Sequence, residues 1–268
     1  MRFVQKMWLC AWLLAALLAC SGCFQISTLV TVNGDGSGTI NQRVLFTSAA
    51  LAQIRQFAAL AGGVPQNFEP VSEQQARDAA DTMGPGVTYV SSTPIDTPEG
   101  QGRNTTYAFI DINQLRLDAQ PPSPGGLMGG AQGLGAATRA TFSLTREPDG
   151  LATLRIVAPQ LSLPGGRRIG PAGNVSPDQV AMVRPLLAGA RLAMAVEPAG
   201  SLVRTSSPWV ESQRVSIIDI EFDQFLNDDT LRRLQGARTV GEATAALKES
   251  PGVKINFDPE ITIEFRGQ

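Results

Sequence analysis

The stretch Ile26-Ser27-Thr28-Leu29-Val30-Thr31-Val32-Asn33-Gly34-Asp35-Gly36-Ser37-Gly38-Thr39-Ile40-Asn41-Gln42-Arg43-Val44-Leu45-Phe46 decides the fold class. Two β-rich runs, 26–32 and 39–46, flank a turn in which three of six residues are glycine. That spacing predicts a β-hairpin, with Ile40, Val44 and Phe46 sharing one face. Directly after it the period changes from two to 3.6. Ser48 stands at a cap position, and Leu51, Ile54, Phe57 or Ala58, and Ala61 recur at helical spacing up to Gly62-Gly63. A hairpin followed at once by an amphipathic helix predicts an α+β fold, largely antiparallel sheet with helices packed on one face.

Downstream, Ser72-Glu73-Gln74-Gln75 reads as a capping box opening a short polar helix that stops at Gly84-Pro85-Gly86. With little apolar surface to bury, this helix is expected to be superficial. Strands are predicted over 87–91 and 105–112, separated by a polar turn rich in Pro, Asp, Glu and Gly. The segment 119–136, with Pro-Pro-Ser-Pro-Gly-Gly at its start, cannot sustain a core and is read as a flexible loop. It divides an N-terminal α+β module, 23–118, from a C-terminal one, 137–268. In the latter, Glu147-Pro148-Asp149-Gly150 separates two strands, and Ser176-Pro177-Asp178-Gln179 caps a helix running to about residue 187. Residues 191–197 and 202–206 are expected to pair across Pro198-Ala199-Gly200. The apolar run 215–222 is expected inside a sheet. Short helices are predicted over 223–234 and 240–249, and a last strand over 260–265. The second half thus repeats the grammar of the first, which suggests two similar β-β-α-β-β halves.

Working back toward the N-terminus, Arg2 and Lys6 precede an apolar run from Met7 to Ala19, and small residues stand before Cys20 and Cys23. This is the pattern of a secretory signal over residues 1–22, cleaved after 19 or 22. A run this short falls below the roughly 20 residues needed to span a bilayer. Small residues ahead of a cysteine match a lipobox, in which that cysteine becomes the lipid-bearing first residue of the mature chain. Cys20 has Leu at −3 and Ala at −1, whereas Cys23 lies closer to the first strand, and both remain open. The third cysteine, Cys10, also falls in this region. Neither Ser21 nor Phe24 is Asp, which by the common sorting rule favours the outer over the inner membrane in a two-membrane cell.

Composition narrows the chemistry. The chain has 22 Lys and Arg against 24 Asp and Glu. Losing the signal removes two basic residues and no acid, taking the net charge from −2 to −4. Such a chain is a poor nucleic-acid partner. It contains no histidine, and the body has no cysteine, so His-based acid–base chemistry and most transition-metal sites lack their residues. No catalytic residue, metal or cofactor is expected. The Asn33–Gly38 stretch starts like a calcium loop, but its twelfth position is Val44 where Glu is required. Carboxylates such as Asp223, Asp228, Asp258 and Glu260 would serve a hydrolase only if two of them converge in a cleft. Arg167, Arg168, Arg184, Arg191, Arg232 and Arg233 would meet anionic head groups only if the fold gathered them. Leu127, Met128 and Leu134 are apolar groups in the flexible loop, placed to touch a membrane or ligand.

With the signal, the hairpin and the stretch Thr106-Tyr107-Ala108-Phe109-Ile110-Asp111-Ile112-Asn113-Gln114-Leu115-Arg116-Leu117 together, the chain resembles a group of bacterial envelope lipoproteins. In these a lipidated cysteine leads within a few residues into a strand ending Val-Asn-x-Asp-Gly-Ser-Gly-Thr, here Val32 to Thr39. Over residues 20–118 it is similar, more distantly, to LppM-type lipoproteins. That resemblance implies a small sheet-and-helix unit associated with lipid or glycolipid binding, and it carries over no catalytic residue. The expectation is a non-enzymatic lipoprotein anchored by its N-terminal acyl chains, on the periplasmic face, binding a lipid, another amphiphile or an envelope component. A scaffolding lipoprotein with a protein partner is the alternative, and a carboxylate-based envelope hydrolase the second alternative.

Overall fold

The computed structural model describes residues 24–60, 69–118, 139–158, 162–163, 167–168, 189–225, 227–237 and 239–267. The signal, Cys20, Cys23, the loop residues Leu127, Met128 and Leu134, and the capped helix expected at 176–187 lie outside the described residues.

The alternation in the opening stretch produces β1 (Phe24–Val32) and β2 (Gly38–Thr47), paired antiparallel from Phe24 opposite Phe46 to Val32 opposite Gly38. Between them Asp35 accepts from the Ser37 backbone at 2.9 Å, the local side-chain bond that stabilises such a turn. Helix α1 (Ser48–Leu60) follows without a break and buries Ala50, Leu51 and Ile54. Its first turn is capped one residue earlier than expected, by Thr47 Oγ1 accepting from Ala50 N at 3.3 Å. The capping box forms as read: Ser72 Oγ accepts from Gln75 N at 3.2 Å, and Gln75 Oε1 from Ser72 N at 2.8 Å. It opens α2 (Glu73–Met83). This helix is not superficial, because Ala76, Ala80 and Met83 are buried. Small side chains bring it close enough for Tyr107 Oη to donate to Ala76 O at 2.9 Å. Gly84 ends it at φ 126°, where a Cβ would stand 2.2 Å from Gln114 O.

β3 (Val87–Thr97) runs six residues past its expected end, and β4 (Gly100–Phe109) starts five residues early and stops three short of its expected end, because the polar stretch read as a turn is strand. β3 is an edge strand with most side chains in water, so its polar residues and Pro94 cost nothing there. A 3-10 turn (Ile112–Gln114) leads to β5 (Arg116–Leu117). The predicted hairpin about Glu147–Gly150 is present as β6 (Ala140–Arg146) and β7 (Leu151–Val157). Two short strands, β8 (Ser162–Leu163) and β9 (Arg167–Arg168), pair with each other. Then come β10 (Arg191–Pro198), β11 (Gly200–Thr205), β12 (Val210–Glu211) and β13 (Arg214–Glu221). Helices α3 (Phe222–Phe225), α4 (Asp228–Gly236) and α5 (Val240–Lys248) precede β14 (Val253–Ile255) and β15 (Glu260–Gly267).

The large sheet has the order β12-β13-β10-β1-β2-β4-β3, with β14 also on β13, and the small sheet β11-β15-β7-β6-β5. The fold is α+β with mainly antiparallel pairing. Two pairings differ from expectation. β10 and β11 are adjacent in sequence but belong to different sheets: the chain crosses at Ala199, whose N–H donates to Val32 O at 2.8 Å, and β11 pairs with β15. β10 instead lies parallel to β1, Gln25 opposite Arg191 and Val32 opposite Pro198. Segments 23–118 and 137–268 therefore contribute strands to the same sheet. They also share one core, which includes Val30, Ile40, Phe109, Met194 and Ile217 of the large sheet with Leu154, Ile156, Ile261 and Phe265 of the small one. The two halves do not follow one strand plan, since β1 to β4 stay in the large sheet while β10, β11, β13 and β15 are divided between both.

Candidate functional site

The parallel pairing of β1 with β10 forms the floor of a surface groove. Along β1, Ile26, Thr28, Val30 and Val32 are buried against the core, so Gln25, Ser27 and Leu29 point to the outer face. The same alternation in β10 buries Leu192, Met194 and Val196 and turns Arg191, Ala193 and Ala195 outward. Register then aligns a cross-strand row: Lys254 opposite Asp219, Asp219 opposite Ala193, Ala193 opposite Ser27, and Ser27 opposite Arg43. Small side chains in the middle of this row and long charged ones at its ends leave a trough. From Asp219 on β13 to Arg43 on β2 is three strand spacings, about 14 Å. The groove has a volume of about 360 Å³, with Ser216 and Leu29 beside the floor and Glu211 and Arg214 on its wall.

Most of the charges are tied in pairs. Arg191 donates to both oxygens of Asp219, at 3.0 Å from Nε and 2.9 Å from Nη2, and its Nη1 stands 3.9 Å from Glu221. This side-on geometry fixes both planes. Lys254 Nζ lies 2.8 Å from Glu211, and Arg214 Nε 3.1 Å from Glu197. Arg43 is exposed, and among the described residues no acid lies within ion-pair distance of it.

The hydrogen bond from Lys254, followed by its charge, holds the Glu211 carboxyl below its ordinary value of 4.5. The same bond raises Lys254 above its ordinary 10.5. A lowered acid keeps its pairing above its ordinary value and loses it only as pH falls below that; a raised amine keeps it below its ordinary value and loses it only above. The Lys254–Glu211 clip is thus closed between about pH 5 and pH 10, and no histidine is present to titrate inside that window. Expected is a flat profile of folding stability from pH 5 to 9, checked by calorimetry across that range. A midpoint near pH 6 to 7 would contradict it.

Of the six arginines singled out in the sequence, Arg191 alone lines the groove. Arg232 and Arg233 pair with Asp229 on α4, Arg167 and Arg168 form β9, and Arg184 lies outside the described residues. Of the acids raised for hydrolysis, Asp223 and Glu260 have separate partners, and Asp258 is exposed between β14 and β15. Asp223 accepts from Gly189 N at 2.6 Å, and Glu260 pairs with Arg155 at 3.2 Å. Asp228 is in the first turn of α4, where a helix N-terminus favours negative charge. Among the described residues no group of three or more acids, histidines or cysteines is disposed to hold a metal. Sequence reasoning missed Arg43, Ser27, Ala193, Arg214 and Lys254. Alternation in β1 and β10 carried the signal for the outward direction of Ser27 and Ala193, but nothing local told that these two strands are neighbours.

No family model matches the chain, and no curated protein matches it. Among solved structures it is similar to the folded domain of the Mycobacterium tuberculosis LppM protein, determined by NMR. The two are 11% identical, the match covers 92% of each chain, and the TM-score is 0.36. This is a distant structural similarity. Among the described residues no helix is long and apolar enough to cross a membrane.

Proposed function

We propose that this chain is an N-terminally lipidated envelope protein that binds an amphiphile or another envelope component and does not transform it. The observation that carries the reading is the apolar run from Met7 to Ala19 ending in Cys20 and Cys23, joined almost directly to a folded body whose first strand starts at Phe24. Acyl chains on either cysteine hold the body at the membrane surface, and several chains make that hold firm. The residue after each cysteine directs the protein to the periplasmic face of the outer membrane where two membranes exist. The outer-face groove is the binding site in this reading. Its floor of Ser27, Ala193 and Ala195, and its walls of paired charges, suit recognition of a polar head group.

The test is mass spectrometry of the protein extracted from native membranes in mild detergent. Expected are an acylated cysteine at the mature N-terminus and a co-extracted amphiphile in stoichiometric amount. A free N-terminus with no bound molecule would overturn the reading. A scaffolding role with a protein partner is favoured by one other observation. Val90 on edge strand β3 and Ile110 at the end of β4, 76% exposed, leave apolar side chains beside an open sheet edge.

A further inference from the structure

We propose that the groove binds a phosphate-bearing anion over Ser27, between the guanidinium groups of Arg43 and Arg191. This deepens the reading of the groove as a binding site and rests on it. Three observations converge. The first is placement: β2 and β10 flank β1 on opposite sides, Arg43 is directly opposite Ser27, and Arg191 is opposite Gln25 one outward position away. Two strand spacings, about 10 Å, separate the strands bearing the arginines. Two long side chains can therefore reach the space above the small, exposed Ser27, whose hydroxyl adds a donor.

The second is charge. The lining residues include Arg43, Arg191, Arg214 and Lys254 against Glu211 and Asp219. Counting the rim acids Glu197 and Glu221, Arg191, Arg214 and Lys254 each have a carboxylate within 4 Å, and among the described residues Arg43 has none. Glu99 feels Arg43 only through space. Arg43 thus presents an uncommitted planar fork, and Arg191 is held in position by Asp219 with Nη1 only loosely engaged. An uncommitted planar fork lining the same groove as a second guanidinium suits the tetrahedral oxygens of phosphate.

The third is position relative to the anchor. Ser27 is four residues beyond Cys23, at most about 13 Å of chain, so a lipidated Cys23 sets this end of the groove beside the head-group layer. A lipidated Cys20 adds three residues and about 10 Å of reach.

The test uses the mature lipoprotein in dodecyl maltoside micelles, titrated calorimetrically with dihexanoyl phosphatidylglycerol, dihexanoylglycerol and inorganic phosphate. The lipid with phosphate is expected to bind and dihexanoylglycerol not. Arg43→Ala is expected to weaken binding about tenfold, Arg43→Lys less, and Ser27→Glu, which places an acid between the guanidiniums, to abolish it. Each site is exposed, and unchanged circular dichroism verifies folding. Binding of inorganic phosphate as tight as that of the lipid assigns the site to free phosphate. Binding of the lipid alone assigns it to a membrane head group. Either result supports the site. Equal affinity for the phosphate-free diglyceride, or an unaffected Arg43→Ala, would overturn it. A co-extracted amphiphile that persists in Arg43→Ala would leave the binding reading standing while the phosphate assignment falls.

Discussion

Phe265→Ala is expected to cost about 3–5 kcal/mol of folding stability and to lower the melting temperature by roughly 6–20 °C. Phe265 lies in β15 and is 0% exposed. It is flanked across the small sheet by Ala152 of β7 and Leu202 of β11, and Ile261 and Ile263 on the same inward face are equally buried. Truncation removes a ring from a close-packed layer, and the rigid sheet cannot collapse into the space. The manner of the loss matters as much as its size. Because residues from both sides of 119–136 share the core with Phe265, the variant should unfold in one transition. Denaturant unfolding followed by far-ultraviolet circular dichroism and by tryptophan fluorescence would check this. Two separated transitions, only one of them shifted, would mean that the halves fold independently.

Arg103→Ala is expected to cost about 2–4 kcal/mol, through lost packing and orphaned polar groups. Arg103 lies in β4 and is 4% exposed, yet it carries a full charge. Its Nε donates to Val71 O at 3.0 Å, its Nη1 to Ser92 Oγ at 2.7 Å, and its Nη2 reaches Glu69 at 3.3 Å. Ser92 is in turn 2.8 Å from Tyr89 Oη, and Tyr89 packs edge-on against Tyr107 with Arg77 over its ring. The guanidinium thus ties the segment leading into α2 to the inner face of the large sheet. Alanine leaves the Val71 carbonyl and the Ser92 hydroxyl without this donor, while the half-exposed Glu69 simply turns to water. Hydrogen exchange should speed first in α2 and β3, because their attachment depends on this hub. A loss below 1 kcal/mol, or exchange unchanged in α2, would contradict the role. Arg103→Lys should recover only part of the loss, since one ammonium cannot address three partners in a plane.

What could be read from the sequence was local, and what could not was pairing. The β1–β2 hairpin, the Ser72–Gln75 capping box and the Glu147–Gly150 turn each declare themselves within a single contiguous stretch, and each is present. The polar extension of β3 was hidden because edge strands tolerate residues that a buried strand excludes. The α2 helix looked superficial because its buried face is built from Ala76, Ala80 and Met83, small residues that signal close approach but little hydrophobicity. The parallel meeting of β1 with β10 joins residues more than 160 positions apart, and only tertiary packing selects it. The groove inherits that blindness. Its floor is Ser27, Ala193 and Ala195, whose value lies in being small beside one another, and its arginines come from two strands that no local pattern relates.

On the proposed reading, a lipid on Cys20 or Cys23 holds this body at an envelope membrane. The most direct test is the mass of the mature N-terminal peptide, released by protease from protein purified out of native membranes. The expected result is a peptide starting at Cys20 or Cys23, heavier than its amino acids by a diacylglyceryl group and an amide-linked acyl chain. Replacing that cysteine by serine should abolish the added mass and release from processing together. A mature peptide that starts elsewhere, or starts at either cysteine without added mass, would contradict the claim.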